Sequence, residues 1–482
     1  MESIYDKYET VIGLEIHVQL NTASKAFCSD DTRFGAPPNT HVSAISLGHP
    51  GTLPRTNDKQ VEYAVRLGLA LGCQISRHNS FDRKNYFYAD LPKGYQITQD
   101  RQPICVGGDM PIYLQEAYQS IRIHHIHMEE DAGKSIHDTS SPHSLIDLNR
   151  AGVPLLEIVT EPDLRSPEEV DALMSGMRQL VRFLGISDGN MEEGSLRCDC
   201  NVSVRRKGSD KLGERCEIKN LNSMRFARRA IEYERKRQIE LLESGGTVDQ
   251  QTLNFDPETG VTSPLRSKED AHDYRYFPEP DLPPIHLQEE WIQRWTNEQP
   301  ALPWELFRRF QTDFGLSAYD SRILSAERDT AEYFLELAKL SEDYKALANL
   351  CINKILPHLH ETNQGIANFA VPHAGIINFV QLIRSNKVSS AKAYQHIFPE
   401  LVQQPEQTPL AIAQRLNLLQ TDDSDLINQL VDDVLTQYPD KVQAYQKGKK
   451  GLIGFFMGEV MKRSKGKANP KMTQKILRDQ LS

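Results

Sequence analysis

The spacing of apolar residues changes once along this chain, and the change falls at a proline cluster, Pro278-Glu279-Pro280-Asp281-Leu282-Pro283-Pro284. Before it the chain reads mainly as short strands with a few helices. After it nearly every segment has helical period, until Pro399, Pro405 and Pro409 separate one group of helices from the next. One core cannot serve 482 residues, because cores stop growing at roughly 250–300 residues and longer chains divide. The expected fold class is therefore α+β: a strand-rich domain over 1–292, an all-α helical domain over 293–409 and a small helical tail domain over 410–482.

Composition narrows the class further. With 39% hydrophobic and 25% charged residues, the chain is of ordinary globular type, and it contains no apolar run of about eighteen residues that would suggest a membrane span. Met1-Glu2-Ser3-Ile4-Tyr5-Asp6-Lys7 lacks the basic and apolar regions of a secretory signal. Seven scattered cysteines, an odd number, argue for reduced thiols. A cytoplasmic location away from membranes is expected. The net charge of -10 is unevenly spread, since the last 42 residues hold eleven Lys and Arg against only Glu459 and Asp479. An acidic body thus carries a basic end.

From Thr10 to Leu20, Ile12, Leu14, Ile16, Val18 and Leu20 alternate with Gly13, Glu15, His17 and Gln19, the pattern of a half-buried strand. Glu15 and His17 then share one face and can converge on an ion; an ordinary solvated strand face has the same pattern. Glu157 interrupts the apolar run Pro154-Leu155-Leu156-Glu157-Ile158-Val159. A carboxylate among apolar neighbours needs a metal or an ion-pair partner, and both readings are open. His127-Met128-Glu129-Glu130-Asp131 adds further acids. Oxygen ligands with one imidazole suit magnesium or manganese better than zinc.

Three other motifs fail. Gly133-Lys134-Ser135 resembles the end of a phosphate-binding loop, but Met128 stands where that loop requires glycine. His127-Met128-Glu129 is not followed by the paired cysteines of a zinc deaminase. Cys198 and Cys200 share a strand face with Leu196 and Val202 and read as core. Ser166-Pro167-Glu168-Glu169 opens an amphipathic helix with a cap and a capping-box glutamate. A second helix, opened by Asn222, has its arginines diluted by Glu232, Glu234 and Glu240 and reads as a solvated charged face. The basic end, with Lys447, Lys449, Lys450, Lys462, Arg463, Lys465 and Lys467, is scarcely diluted and can neutralise phosphates. Leu452, Ile453, Phe455, Phe456, Met457, Val460 and Met461 indicate a folded helix there.

The runs Val11-Ile12-Gly13-Leu14-Glu15-Ile16-His17-Val18-Gln19-Leu20, Phe81-Asp82-Arg83-Lys84-Asn85-Tyr86-Phe87-Tyr88 and Glu129-Glu130-Asp131-Ala132-Gly133-Lys134 resemble the B-type subunit of the tRNA-dependent amidotransferases. So do Asp147-Leu148-Asn149-Arg150-Ala151-Gly152, Gly194-Ser195-Leu196-Arg197-Cys198-Asp199 and Glu217-Ile218-Lys219-Asn220-Leu221-Asn222. The resemblance implies a cradle-shaped catalytic domain, a helical domain and a tail that touches tRNA. It implies ATP-dependent conversion of Glu-tRNA(Gln), and of Asp-tRNA(Asn), to the amidated forms. It makes Glu15, His17, Glu130 and Glu157 the magnesium ligands, and sets Lys84 and Lys93 along an ammonia passage. Arg197, Asp199, Lys219 and Asn220 are expected beside ATP. Where relatives carry a four-cysteine zinc knuckle, this chain keeps only Cys28, which argues against a structural zinc. No Gly-Ser-Ser-Gly amidase signature occurs, so ammonia is expected from a partner, the A-type amidase (glutaminase) of the same complex, with the small C-type component beside it. The rival functions are a non-catalytic tRNA-binding assembly factor and a ligase using free ammonia on a small acid.

Overall fold

A computed structural model gives the fold of residues 3–114, 117–137, 143–221, 223–265, 274–420, 424–464 and 466–481. It divides into two compact units, Met1–Glu305 and Leu306–Ser482. Helix Glu289–Asn297 belongs to the first because it buries Ile292 and Trp295 in that core. The N-terminal part is strand-rich and the C-terminal part helical.

The elements that position the site are, in chain order, β1 (Tyr8–Gln19), α1 (Asp58–Ala70), β2 (Asp82–Asn85), β3 (Tyr95–Thr98), β4 (Asp109–Leu114), β5 (Ala117–Glu130), β6 (Pro154–Thr160), α2 (Pro167–Phe183), β7 (Leu196–Arg206), β8 (Cys216–Leu221), α3 (Met224–Glu243), β9 (Gln251–Asp256), β10 (Val261–Pro264) and β11 (Phe277–Pro278). One large sheet runs β10-β9-β8-β7-β1-β6-β5 and continues through the short strands Cys105–Val106 and Gln74–Ile75, with β4 pairing β5. β1 lies at its middle, antiparallel to both neighbours: His17 is opposite Glu157 on one side and Arg197 on the other, and Glu15 is opposite Asp199.

This register sorts side chains by face, because alternate residues of a strand point to opposite sides. Ile12, Leu14, Ile16 and Val18 of β1 share a buried cluster with Leu156 and Ile158, with Leu196, Cys198, Cys200 and Val202, and with Leu173, Met177 and Leu180 of α2. Glu15, His17, Glu157, Arg197 and Asp199 are left on the other face. α2 starts as its sequence requires, with the Ser166 side chain accepting from Glu169 N–H and Pro167 in the first turn. The Glu169 carboxylate, however, accepts from Arg165 N–H and not from the cap residue. α3 is capped by Ser223, whose side chain accepts from Phe226 N–H; Asn222 lies outside the described residues. A small sheet of β11, β2 and β3 meets the end of β5, where Gln96 Nε2 donates to Glu130 O at 2.8 Å.

In the second unit, α4 (Ser424–Gln437), α5 (Ile453–Arg463) and α6 (Pro470–Leu481) build a core of their own from Ile427, Val431, Val434, Phe456, Val460, Leu477 and Leu481. Phe455, Met457 and Met461 pack against it partly buried. Among the described residues no helix is long and apolar enough to cross a membrane.

Candidate active site

The polar face of the large sheet gathers two groups of ligand-type atoms. In the first, His17, Glu129 and Glu157 bring one atom each within 4.8 Å of one another. His17 Nε2 lies 3.5 Å from Glu157 Oε2 and 3.8 Å from Glu129 Oε1. His127 backs this group, its Nε2 3.1 Å from Glu157 and 3.5 Å from Glu129. In the second, Glu15, Asp199 and Glu217 meet the same 4.8 Å limit. Asn201 Nδ2 donates to Glu15 at 2.9 Å, and Lys219 Nζ is 2.8 Å from Glu217 and 3.6 Å from Asp199.

Electrostatics marks this face as one built around positive charge. Burial opposes ionisation of Glu157, yet His127 and His17 outweigh it and hold its carboxyl well below the usual range. Burial likewise opposes protonation of His127, but Glu157 and Glu129 push it up to about 10. Burial and the Glu157 charge raise the Glu15 carboxyl. His127 and Lys219 already supply positive charge to the two groups; a set of carboxylates with one imidazole could in addition hold magnesium or manganese.

The expected quartet does not assemble as one set. Glu15, His17 and Glu157 share the face, but Glu130 does not join them, and Glu129 takes its place. Glu130 is paired with Lys93 and accepts from Ile97 N–H at 3.0 Å. The two lie with Lys25, Phe27, Tyr95 and Ile97 around a separate cavity. The reason is the pleat, which turns Glu129 and Glu130 to opposite sides. Lys84 does not line that cavity; its ammonium stands over the rings of Tyr274 and Tyr86.

Arg197 is paired with Asp131 at 2.9 Å, while its Nε is buried without a hydrogen-bond partner among the described residues. Asp131, absent from the expected set, is a hub: it also accepts from Gln19 at 2.6 Å and lies 3.7 Å from Arg150. Burial would raise its carboxyl, but Arg197, Arg150 and Gln19 keep it below the ordinary range. Asp199 and Lys219 belong to the second acidic group. Asn220 is placed in β8, with its side chain outside the described residues. Glu129, Asp131 and Glu217 all lie in motifs visible in the sequence; for Glu129 the available signal is that it shares a strand face with His127, two residues before it.

At the four positions of the cysteine knuckle stand Cys28, Asp30, Ser43 and Ser46. Ser46 Oγ donates to Asp30 at 2.6 Å and accepts from Ser43 N–H at 3.0 Å. Burial pushes the Cys28 thiol up to about 11, and the other three positions offer one carboxylate and two hydroxyls. This donor set does not fit zinc. In the basic end, Lys447, Lys449, Lys450, Lys462 and Arg463 are exposed. Lys467 donates to Asn417 at 2.9 Å, and Lys465 lies outside the described residues.

This strand-rich domain, followed by helical modules, falls in the class of the GatB/GatE catalytic domain, which matches residues 10–293; the GatB domain matches residues 332–481. Proteins named as the B subunit of aspartyl/glutamyl-tRNA(Asn/Gln) amidotransferase are similar over almost the whole chain. Those of Nitratidesulfovibrio vulgaris and Chlorobaculum tepidum are 47% and 48% identical, each across 98% of this chain and 99% of the relative. That of Myxococcus xanthus is 47% identical across 98% of both. The chain belongs to the GatB family of amidotransferase B subunits, and is thereby one component of a carbon–nitrogen ligase.

Proposed function

We propose that this chain is the ATP-using, tRNA-handling component of a glutamine-dependent amidotransferase, acting on Glu-tRNA(Gln) and on Asp-tRNA(Asn). A free carboxylate cannot be amidated directly because oxide is a hopeless leaving group. An oxygen of the aminoacyl side chain therefore attacks the γ-phosphorus of ATP, the bond to the β,γ-bridging oxygen breaks, and ADP leaves. Ammonia then adds to the acyl carbon, the carbon–oxygen bond to phosphate breaks, and the nitrogen gives up a proton to become the amide.

The observation that carries this reading is the pair of acidic groups on the polar sheet face, His17-Glu129-Glu157 and Glu15-Asp199-Glu217. These residues would hold magnesium, which when bound neutralises nucleotide phosphates and the charge that develops as phosphoryl transfers. His127 orients Glu157 and Glu129 from behind. Arg197, fixed by Asp131, would supply positive charge to phosphate oxygens. Lys219, and Asn220 beside it, border the nucleotide. Ammonia arrives through the cavity that Lys93 and Glu130 border, from the A-type amidase, a glutaminase, with the small C-type component clasping both. The basic end holds tRNA through Lys447, Lys449, Lys450, Lys462, Arg463, Lys465 and Lys467. The chemistry is placed in the cytoplasm, where aminoacyl-tRNA is made.

Reconstitution with the amidase and the small C-type component, glutamine, ATP and each misacylated tRNA tests the reading. ADP release and amide formation on tRNA are expected together. A complete complex that releases no ADP with either charged tRNA would sink it.

A further inference from the structure

The cations near the two acidic groups are not alike. Arg197 is paired with Asp131, Lys219 with Glu217 and Lys93 with Glu130. Among the described residues Lys84 has no carboxylate partner and no hydrogen bond; it has rings. Its Nζ lies 4.9 Å from the Tyr274 centroid and 5.9 Å from that of Tyr86. Tyr274 stands edge-on to Tyr86 at 6.1 Å and to Tyr276 at 6.2 Å. Aromatic faces stabilise an ammonium without using its N–H bonds. All three donors therefore remain for a ligand.

The box is built at some expense. Arg275, between the two tyrosines, has φ 40°, a left-handed conformation that a residue with a long side chain rarely adopts. Asn85, next to Lys84, fixes it: Nδ2 donates to Tyr274 O at 3.3 Å and to Arg275 O at 2.9 Å. Strand β2 thus carries both the caged cation and the clamp that shapes its cage. The charge is secure, since burial disfavours it but Tyr276, Glu129 and Glu157 together raise the Lys84 ammonium above its ordinary value. Geometry sets Lys84 beside the first acidic group: it pairs Gln96 of β3, and two residues along the same strand face Thr98 Oγ1 donates to Glu129 at 3.3 Å, whereas Lys93 is engaged by Glu130 at the separate cavity.

We propose that Lys84 is a substrate-binding residue whose ammonium, presented by the tyrosine box, donates to an oxyanion at the reacting centre, either the aminoacyl carboxylate or the γ-phosphoryl group. This rests on the function proposed above and gives Lys84 a role different from that of Lys93. A half-buried ammonium without a carboxylate partner, beside the acidic group, completes a clamp on the anion that the site receives.

The test uses the reconstituted three-component complex carrying Lys84→Met, once the wild-type complex has been shown to be active; inactivity of the wild type counts against the proposed function alone. Three rates are read: ADP release driven by misacylated tRNA without an amide donor, amidation with glutamine, and amidation with ammonium chloride. All three should fall together, by about 100-fold or more. A rise in the KM for aminoacyl-tRNA assigns the carboxylate, and a rise in the KM for ATP assigns the phosphoryl group. Loss of the glutamine-driven rate alone, with ADP release intact, would make Lys84 a passage residue and overturn the proposal. If Lys84→Met unfolds the chain, Lys84→Arg and Tyr274→Leu replace it, with the melting midpoint as control. Arginine should retain much of all three rates and leucine should lower all three; unchanged ADP release in the leucine variant overturns the proposal.

Discussion

Glu129 and Glu130 are consecutive in β5 and belong to different sites: Glu129 joins His17 and Glu157, while Glu130 is held by Lys93 and by Ile97 N–H. Their isosteric variants should therefore differ in kind. Glu129→Gln is expected to raise the magnesium concentration needed for tRNA-driven ADP release by about tenfold or more, as removal of a charged ligand does. Glu130→Gln should leave that requirement unchanged and lower glutamine-driven amidation. A magnesium titration of ADP release distinguishes them, and a shift in the Glu130 variant alone would restore the quartet expected from the family pattern.

His125 predicts a pH dependence. Burial and the neighbouring His127 and His124 hold its imidazole down at about 4, against roughly 6.5 for a free histidine. Its Nε2 lies 3.2 Å from His127 Nδ1 and its Nδ1 2.6 Å from His124 Nδ1. Between these values the unfolded chain binds more protons, so the contribution of His125 is complete above about 6.5 and is lost as pH falls through about 4. The melting midpoint in chelator should decline from about pH 7 to about pH 5, and His125→Gln should flatten the decline. An unchanged slope would assign the acid sensitivity to other groups.

The same strand shows why the site was only partly legible. The alternation over Thr10–Leu20 yields the polar face of β1, and with it Glu15 and His17, because a two-residue period leaves no choice of side. β5 has no such single period. Ile121 and Ile123 are core residues at odd positions, whereas Ile126 and Met128 are core residues at even ones. The switch is a β-bulge, where Thr160 pairs Ile123 but Val159 already pairs His125. A reader who carries the parity of Ile121 forward buries His127 and Glu129; the irregularity turns both to the polar face. Asp131 and Glu217 were missed for another reason: their partners Arg197 and Asp199 come from distant segments, and only the sheet register brings them together. The helical tail, by contrast, follows from local period alone.

The loop at Cys28 should be indifferent to metal. Asp30 is tied to Ser46 by a 2.6 Å hydrogen bond and has a lowered pKa: burial would raise it, but Ser46, Cys28, Ser43 and Lys25 outweigh that. The expectation is an unchanged melting midpoint on adding a zinc chelator, a loss of about 1–2 kcal/mol in Asp30→Ala and a change of no more than about 0.5 kcal/mol in Cys28→Ser. Chelator-induced unfolding would show that a metal is held there after all.

The tail offers the most direct test of tRNA contact, provided the change spares its core. Removing residues 441–482 would take away Phe456, Val460, Leu477 and Leu481 and leave Ile427, Val431 and Val434 of α4 uncovered, so that weakened binding would report unfolding as much as lost charge. Lys441 is also unsuitable, since its Nζ stands 3.2 Å from the Phe455 ring centroid. Lys449 and Lys462 are exposed and have no such duty in the core. Each phosphate contact contributes through counterion release, at a slope of roughly 0.7 to 0.9 per contact in log K against log salt. Lys449→Gln with Lys462→Gln should therefore weaken tRNA binding and reduce that slope by about 1 to 2, with the melting midpoint unchanged. Binding and slope equal to wild type would place the tRNA contact elsewhere on the chain.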